Sequence, residues 1–327
     1  MKQVPLAPTV YHDIPVESKT MQSTNTIFLV RPSSFSFNTK TSISNTFQAP
    51  LSESKETIQQ KVLSEFDEFA NTLTAKGIQV HVFDDTEFPE KPDAIFPNNW
   101  ISFHPDGTLI LYPMLAPNRR PEKREDIVTF FKNNYSVQTL LDLTHYEKDN
   151  SFLEGTGSIV FDHVHKIAYA TLSPRTHKAL FLSVCDYLHY QPVCFHAFDK
   201  SEIPIYHTNV MMCIAKHFAV ICLDSIADKS DRAMLVNQLK DSGHQIIDIS
   251  FEQMNQFACN MLSLQTINDK EILVLSQSAF DSLNGTQKKE IEQFVELLPM
   301  SIPTIETIGG GSARCMIAEV FLQAKEK

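Results

Sequence analysis

The stretch VMMCIAKHFAVICLDSIADKSDRAMLVNQLKDSGHQIIDI, Val210 to Ile249, decides how this chain is read. It opens with two short apolar runs, 210–215 and 218–223, spaced as the strands of a hairpin. A segment with helical character follows at 229–241 and ends before Gly243. A third apolar run, 245–249, closes it. The unit is strand, strand, helix, strand.

The same order repeats outward in both directions. Upstream, 158–161 and 166–171 form a hairpin, 175–189 a helix and 192–197 a strand. Before them, Trp100–His104 and Leu109–Tyr112 flank the turn Pro105-Asp106-Gly107-Thr108, with a helix at 121–134 and a strand at 137–143. Downstream, a hairpin spans 261–275 around Asn268-Asp269, and the pattern predicts a helix at 286–298 and a strand near 302–307. At the start of the chain, Thr26–Val30 is a strand and Glu56–Lys76 a helix. Its apolar residues Ile58, Val62, Phe66, Phe69 and Leu73 recur at three- and four-residue steps, and Gly77 supplies the stop.

Units repeated at a fixed period bury each other's apolar faces. Five of them predict an α/β fold, a five-bladed α/β propeller of pseudo-fivefold units around a central pocket. Residues 25–327 are expected to form that single domain, with 1–24 as a flexible or surface-laid arm.

Composition narrows the function classes. The 327 residues carry a formal net charge of -11, with a pI near 5.5. With no basic stripe, neither nucleic acid nor an anionic membrane surface is an expected partner. No apolar h-region opens the chain, and no run has the roughly 20 apolar residues of a membrane span. The expected compartment is therefore the cytoplasm. The six cysteines contain no CxxC pair, so they read as reduced thiols, most of them core fillers.

Five polar residues occupy the same place in successive units, each just before an apolar strand: Asn99, Glu154, His207, Asn260 and Cys315. Their intervals are 55, 53, 53 and 55 residues. Equivalent positions in a ring of repeats face a common axis, so a carboxylate, an imidazole, a thiol and two amides are expected to converge. Of only nine glycines, five (155, 157, 309, 310 and 311) fall in two of these segments. Glycine there permits tight turns and close backbone approach.

FPNNW at 96–100, FLEGTGS at 152–158, YHTN at 206–209 and GGGSARCMIAE at 309–319 resemble, in this order, the arginine deiminase and amidinotransferase superfamily, the penteins. The Asn118–Arg120 run fits as well, and the resemblance covers the chain from about Thr26 onward. It implies a fivefold α/β propeller with Cys315 as nucleophile, His207 as general acid/base and Glu154 as a substrate-holding carboxylate. A thiol suits that role when an imidazole or cation favours its thiolate. The resemblance also places Arg119 where the deiminases bind a substrate carboxylate and Arg175 near another such position, while both equally read as surface residues at helix starts. Arg314, beside the nucleophile, is expected either to lower the thiol pKa, to bind substrate, or to point away.

The chain departs from the guanidine-hydrolysing members at two positions. They carry Asp where this sequence has Asn99, and H-x-D where it has His207-Thr208-Asn209. Carboxylates suit a guanidinium, which offers only donors, whereas an amide offers a donor and an acceptor. The resemblance is therefore closest to the citrulline-hydrolysing branch, which implies ornithine, carbon dioxide and ammonia as products. Arginine deiminase or dihydrolase activity is the first alternative. A non-catalytic binding protein, like the ribosome anti-association factors that share the fold, is the second.

The expected partner is thus a small amino-acid substrate, and a homodimer is left open. Gly309–Gly311 lacks the pattern of a phosphate or dinucleotide loop, so no cofactor is expected. Asp162, His163 and His165 resemble a metal patch, but their place at a hairpin turn predicts solvent exposure, and no metal is expected. Asn260 is assigned to the pocket wall without a chemical step.

Overall fold

The computed structural model describes residues 4–11 and 21–326. Its strands are β1 (Thr9–Val10), β2 (Thr26–Arg31), β3 (Gln79–Asp84), β4 (Ile101–Phe103), β5 (Thr108–Leu111), β6 (Thr139–Asp142), β7 (Val160–Asp162), β8 (Ile167–Thr171), β9 (Gln191–Phe195), β10 (Met212–Ile214), β11 (Phe218–Ile221), β12 (Gln245–Asp248), β13 (Leu262–Gln265), β14 (Glu271–Ser276), β15 (Glu296–Met300) and β16 (Ala318–Glu319).

They form five small sheets of one design. In four of them a hairpin is followed by a helix that returns the chain to a third strand, parallel to the second: β7-β8-β9, β10-β11-β12, β13-β14-β15 and β4-β5-β6. The remaining sheet draws its antiparallel strand from the other end of the chain. β16 pairs with β2, Ala318 opposite Phe28, and β3 lies parallel on the far side. The C-terminal segment that carries Cys315 is thereby tied to the first unit. Between sheets, β7 lies against β10, β10 against β13, and β16 against β4.

The central strands are buried because helices cover them. In the first unit, helix Lys55–Ala75 buries Ile58, Val62, Phe66, Phe69, Ala70 and Leu73, the face its spacing predicts. Ser54 caps it by accepting from the Thr57 N–H, and Gly77, at φ +84, ends it. Phe28 of β2 packs edge-on against Phe83 and Phe103, and Phe103 lies 4.5 Å from Phe131. One aromatic cluster thus spans the first and second units. Each such ring contributes roughly 1.5–3 kcal/mol by leaving water.

Three expectations about the fold need correction. Helix Gly285–Glu292 stops well short of residue 298, the strand is Glu296–Met300, and the segment expected as a strand near 302–307 is a helix, Pro303–Gly309. Proline at the first turn has its φ preset for a helix and lacks an N–H that would go unpaired there. The Glu65 carboxylate accepts from the Thr304 and Ile305 N–H groups at that turn. The expected arm also ends earlier than residue 24: Gln22, Ser23 and Thr24 are buried, and Gln22 donates to the Phe161 carbonyl at 2.9 Å. Residues 4–11 lie along the second and third units, where β1 pairs with β6 and the Val4 N–H donates to Ser183 of the helix between β8 and β9. The rest of the arm, 1–3 and 12–20, lies outside the described residues. Lastly, the Asp162–His165 turn is not uniformly exposed. Asp162 and His163 are buried, and only His165 reaches the surface.

Candidate active site

Short turns, each leading into the antiparallel outer strand of a sheet, deliver the site. Asn99 ends the turn Pro97–Asn99, Glu154 caps Gly155–Ser158, His207 caps Thr208–Met211 and Cys315 sits within Ala313–Met316. Asn260 ends a turn closed by its own N–H on the Phe257 carbonyl. The same local geometry at intervals of 53 or 55 residues brings these side chains together.

His207 Nε2 donates to Glu154 Oε2 at 2.8 Å, and Glu154 Oε1 accepts the Leu115 N–H at 3.0 Å. Arg175 Nη1 reaches the same carboxylate at 3.5 Å. Burial alone would raise the Glu154 pKa, but Arg175, the His207 hydrogen bond and Arg119 outweigh it and hold the carboxyl at about 2. Burial lowers His207 to about 4 despite its bond to Glu154. At neutral pH the pair is therefore carboxylate and neutral imidazole. With Nε2 protonated, Nδ1 keeps its lone pair.

Gly157 makes room for that lone pair. A Cβ there would stand 2.7 Å from His207 Nδ1 and 2.4 Å from Asn99 Nδ2. Both atoms therefore border one narrow space. Asn99 Oδ1 accepts from Arg119 Nη1 at 2.9 Å, while its Nδ2 has no partner. Because a guanidinium has donors only, it fixes the amide with the NH₂ end free.

Cys315 is buried and holds its sulfur between two amides, Asn260 Nδ2 at 3.2 Å and Asn209 Nδ2 at 3.6 Å. Burial raises the thiol pKa; the Ser312 backbone, the two amides and Arg314 oppose it. Asn260 thus does more than line a wall: its Nδ2 donates to the sulfur, and its Oδ1 accepts the Cys315 N–H at 3.3 Å. Asn209, expected to meet substrate, instead directs its amide at the sulfur.

The pocket over Cys315 is lined by Asp93, Asn99, Arg119, Arg175, His207 and the Gly309–Gly311 run, among others. Arg119 is gripped by Glu122, through Nε at 2.9 Å and Nη2 at 2.8 Å. Arg175 stacks on the Tyr206 ring at 4.8 Å and donates to the Thr41 carbonyl and Ser44 Oγ. Arg314 is not brought to this pocket. It donates to the Ile317 carbonyl and Glu319 and lines a neighbouring cavity with Gln22 and Asn209.

Two features escaped the sequence. Asp93 is buried in the pocket wall, its Oδ2 held by Asn38 and Thr41 and its Oδ1 without a partner. Burial raises its pKa against the pull of Arg119. The segment 38–49 covers the glycine run: Asn45 Nδ2 donates to the Gly310 carbonyl and Gln48 Nε2 to that of Gly309, both at 3.0 Å. The KPDAIFPNNW run offered one signal, an acid six residues before Asn99. The covering segment has no periodicity to reveal it.

Several solved structures share this architecture. Full-length ArgZ, an arginine dihydrolase from the ornithine-ammonia cycle in cyanobacteria, superposes with a TM-score of 0.71 at 15% identity, over 90% of this chain and 40% of ArgZ. The N-terminal domain of ArgZ bound to substrate gives 0.70 at 16% identity, over 90% of this chain and 97% of that domain. A dimethylarginine dimethylaminohydrolase adduct gives 0.61 at 13% identity, over 90% and 98% of the two chains. The chain thus spans about 40% of full-length ArgZ, and its fold is that of the penteins. Comparison with curated protein sequences gave no match. A family model described as N,N dimethylarginine dimethylhydrolase, eukaryotic, matches residues 31–322; the chain belongs to that family, within the pentein superfamily.

Proposed function

We propose that the five units close into a propeller and that the chain is a cysteine-dependent hydrolase of a ureido amino acid, citrulline in the first instance. The carrying observation is Asn99, whose Oδ1 is taken by Arg119 and whose Nδ2 is left free beside His207 Nδ1. A free N–H complements a ureido carbonyl oxygen; a guanidinium, which offers only donors, would meet a donor there. At the other end, the free Asp93 Oδ1 suits an α-ammonium, and Arg119 and Arg175 supply charge for an α-carboxylate.

In this reading the Cys315 thiol gives its proton to His207 Nδ1 and the thiolate attacks the ureido carbon. Asn99 Nδ2 donates to the oxygen as it gains charge. The carbon–nitrogen bond to the substrate's side chain breaks, and the His207 proton passes to that nitrogen, releasing ornithine and leaving S-carbamoyl-Cys315. His207 then takes a proton from water, whose oxygen attacks the carbamoyl carbon. The thiol reforms and carbamic acid decomposes to carbon dioxide and ammonia. Asn209 and Asn260 stabilise the thiolate at both ends of the cycle.

A guanidino substrate is the second reading, supported by the family's description. Purified protein given citrulline or arginine separates the two. Ornithine and ammonia from citrulline alone support the ureido reading; turnover of arginine with citrulline inert sinks it. A cytoplasmic location is part of the proposal, and the homodimer stays open.

A further inference from the structure

Of the two histidines that its sequence neighbourhood suggests, Asp162 meets only His165. His163 turns inward, its Nδ1 2.7 Å from the Tyr190 hydroxyl. His244, from the turn before β12 in the next unit, takes its place, with Nε2 3.8 Å from Asp162 Oδ2. His165 brings Nδ1 to 2.9 Å from the same oxygen. The three donor atoms lie within 4.8 Å of one another.

We propose that Asp162, His165 and His244 bind a divalent transition-metal ion of zinc type, which clasps the β7–β8 hairpin of the third unit to the fourth unit. This goes beyond the hydrolase reading, and none of the three residues lines the pocket over Cys315. It also departs from the sequence expectation that the chain binds no metal.

Two imidazoles and one carboxylate are a donor set that zinc accepts, with solvent as fourth ligand. The supporting bonds orient them for it. The His165 N–H holds Asp162 Oδ1 at 3.0 Å, leaving Oδ2 as the shared donor. Ser242 Oγ lies 2.9 Å from His244 Nδ1 and also donates to the Gln238 carbonyl at 2.9 Å. With its hydroxyl proton on that carbonyl, Ser242 accepts an Nδ1–H from His244, the tautomer that presents an Nε2 lone pair to a metal. His244 Nε2 lies 3.1 Å from the Ala215 carbonyl and 3.8 Å from Asp162 Oδ2, and zinc would replace the hydrogen that it donates there. Such outer partners orient metal-binding histidines generally. Tetrahedral zinc needs donors about 3.3 Å apart. The surface side chain of His165 can swing the remaining distance.

The test is zinc titration by calorimetry on the full chain carrying Cys315→Ser, which removes the reactive thiol as a competing ligand. One equivalent of zinc should bind and raise Tm, and cobalt(II) should give the intense visible bands of a tetrahedral site. His165→Ala, a surface change that leaves the core intact, should abolish all three responses. Ser242→Ala should weaken zinc roughly 10- to 100-fold. Zinc bound with unchanged affinity after His165→Ala, or no zinc bound before it, would overturn the proposal.

Discussion

Arg119 Nη1 donates to Asn99 Oδ1 at 2.9 Å, and this bond decides which end of the amide stands beside His207 Nδ1. Arg119 is in turn locked by Glu122. Substrate preference in this account therefore rests on a buried chain, Glu122 to Arg119 to Asn99. Asn99→Ala should cost about 10²–10³-fold in kcat on a ureido substrate, the loss typical of one donor to a developing oxyanion. Asn99→Asp should lose the same activity. Steady-state kinetics on both variants check this; unchanged kcat on citrulline would remove Asn99 from the chemistry.

The paired shifts of His207 and Glu154 carry a signed consequence for stability. His207 protonates near 6.5 in the unfolded chain but only near 4 in the fold, so the unfolded state binds more protons between those values. Glu154 behaves likewise between its ordinary 4.5 and about 2. Both make stability fall as pH falls, His207 first and Glu154 below it. Urea midpoints measured from pH 7 downward should decline for the wild type. His207→Gln should flatten the part of that slope between 6.5 and 4.

Gly157 is where side chains leave no room for a methyl group. An alanine Cβ would lie 2.4 Å from Asn99 Nδ2 and 2.7 Å from His207 Nδ1, so one of them must move. A displacement near 1 Å at reacting groups costs roughly 10²-fold. Gly157→Ala should lose about that much kcat with circular dichroism unchanged. Full activity would mean that the two atoms do not work together.

Much of this site was legible because it repeats. Asn99, Glu154, His207, Asn260 and Cys315 stand at one position of one unit, and a periodic chain exposes such positions without any structure. The face of helix Lys55–Ala75 was legible for a similar reason, since burial imposes its own spacing. Asp93 was not, because it belongs to a loop and owes its role to Asn38 and Thr41, residues of another loop. Adjacency left Arg314 open: one residue from the nucleophile, it turns to Glu319 and meets the pocket only through its charge on the thiol. The 296–309 region failed because its apolar residues suit a strand or a buried helix alike, and Pro303 with Glu65 settles the matter only in three dimensions. His244 joins Asp162 across units, at no spacing a sequence could announce.

The covalent intermediate tests the central claim most directly. Protein mixed with citrulline, quenched in acid during turnover and digested, should carry one carbamoyl group on the peptide containing Cys315. Cys315→Ala should carry none and release no ammonia. A carbamoyl-free Cys315 peptide during active turnover, or turnover by Cys315→Ala, would contradict the account.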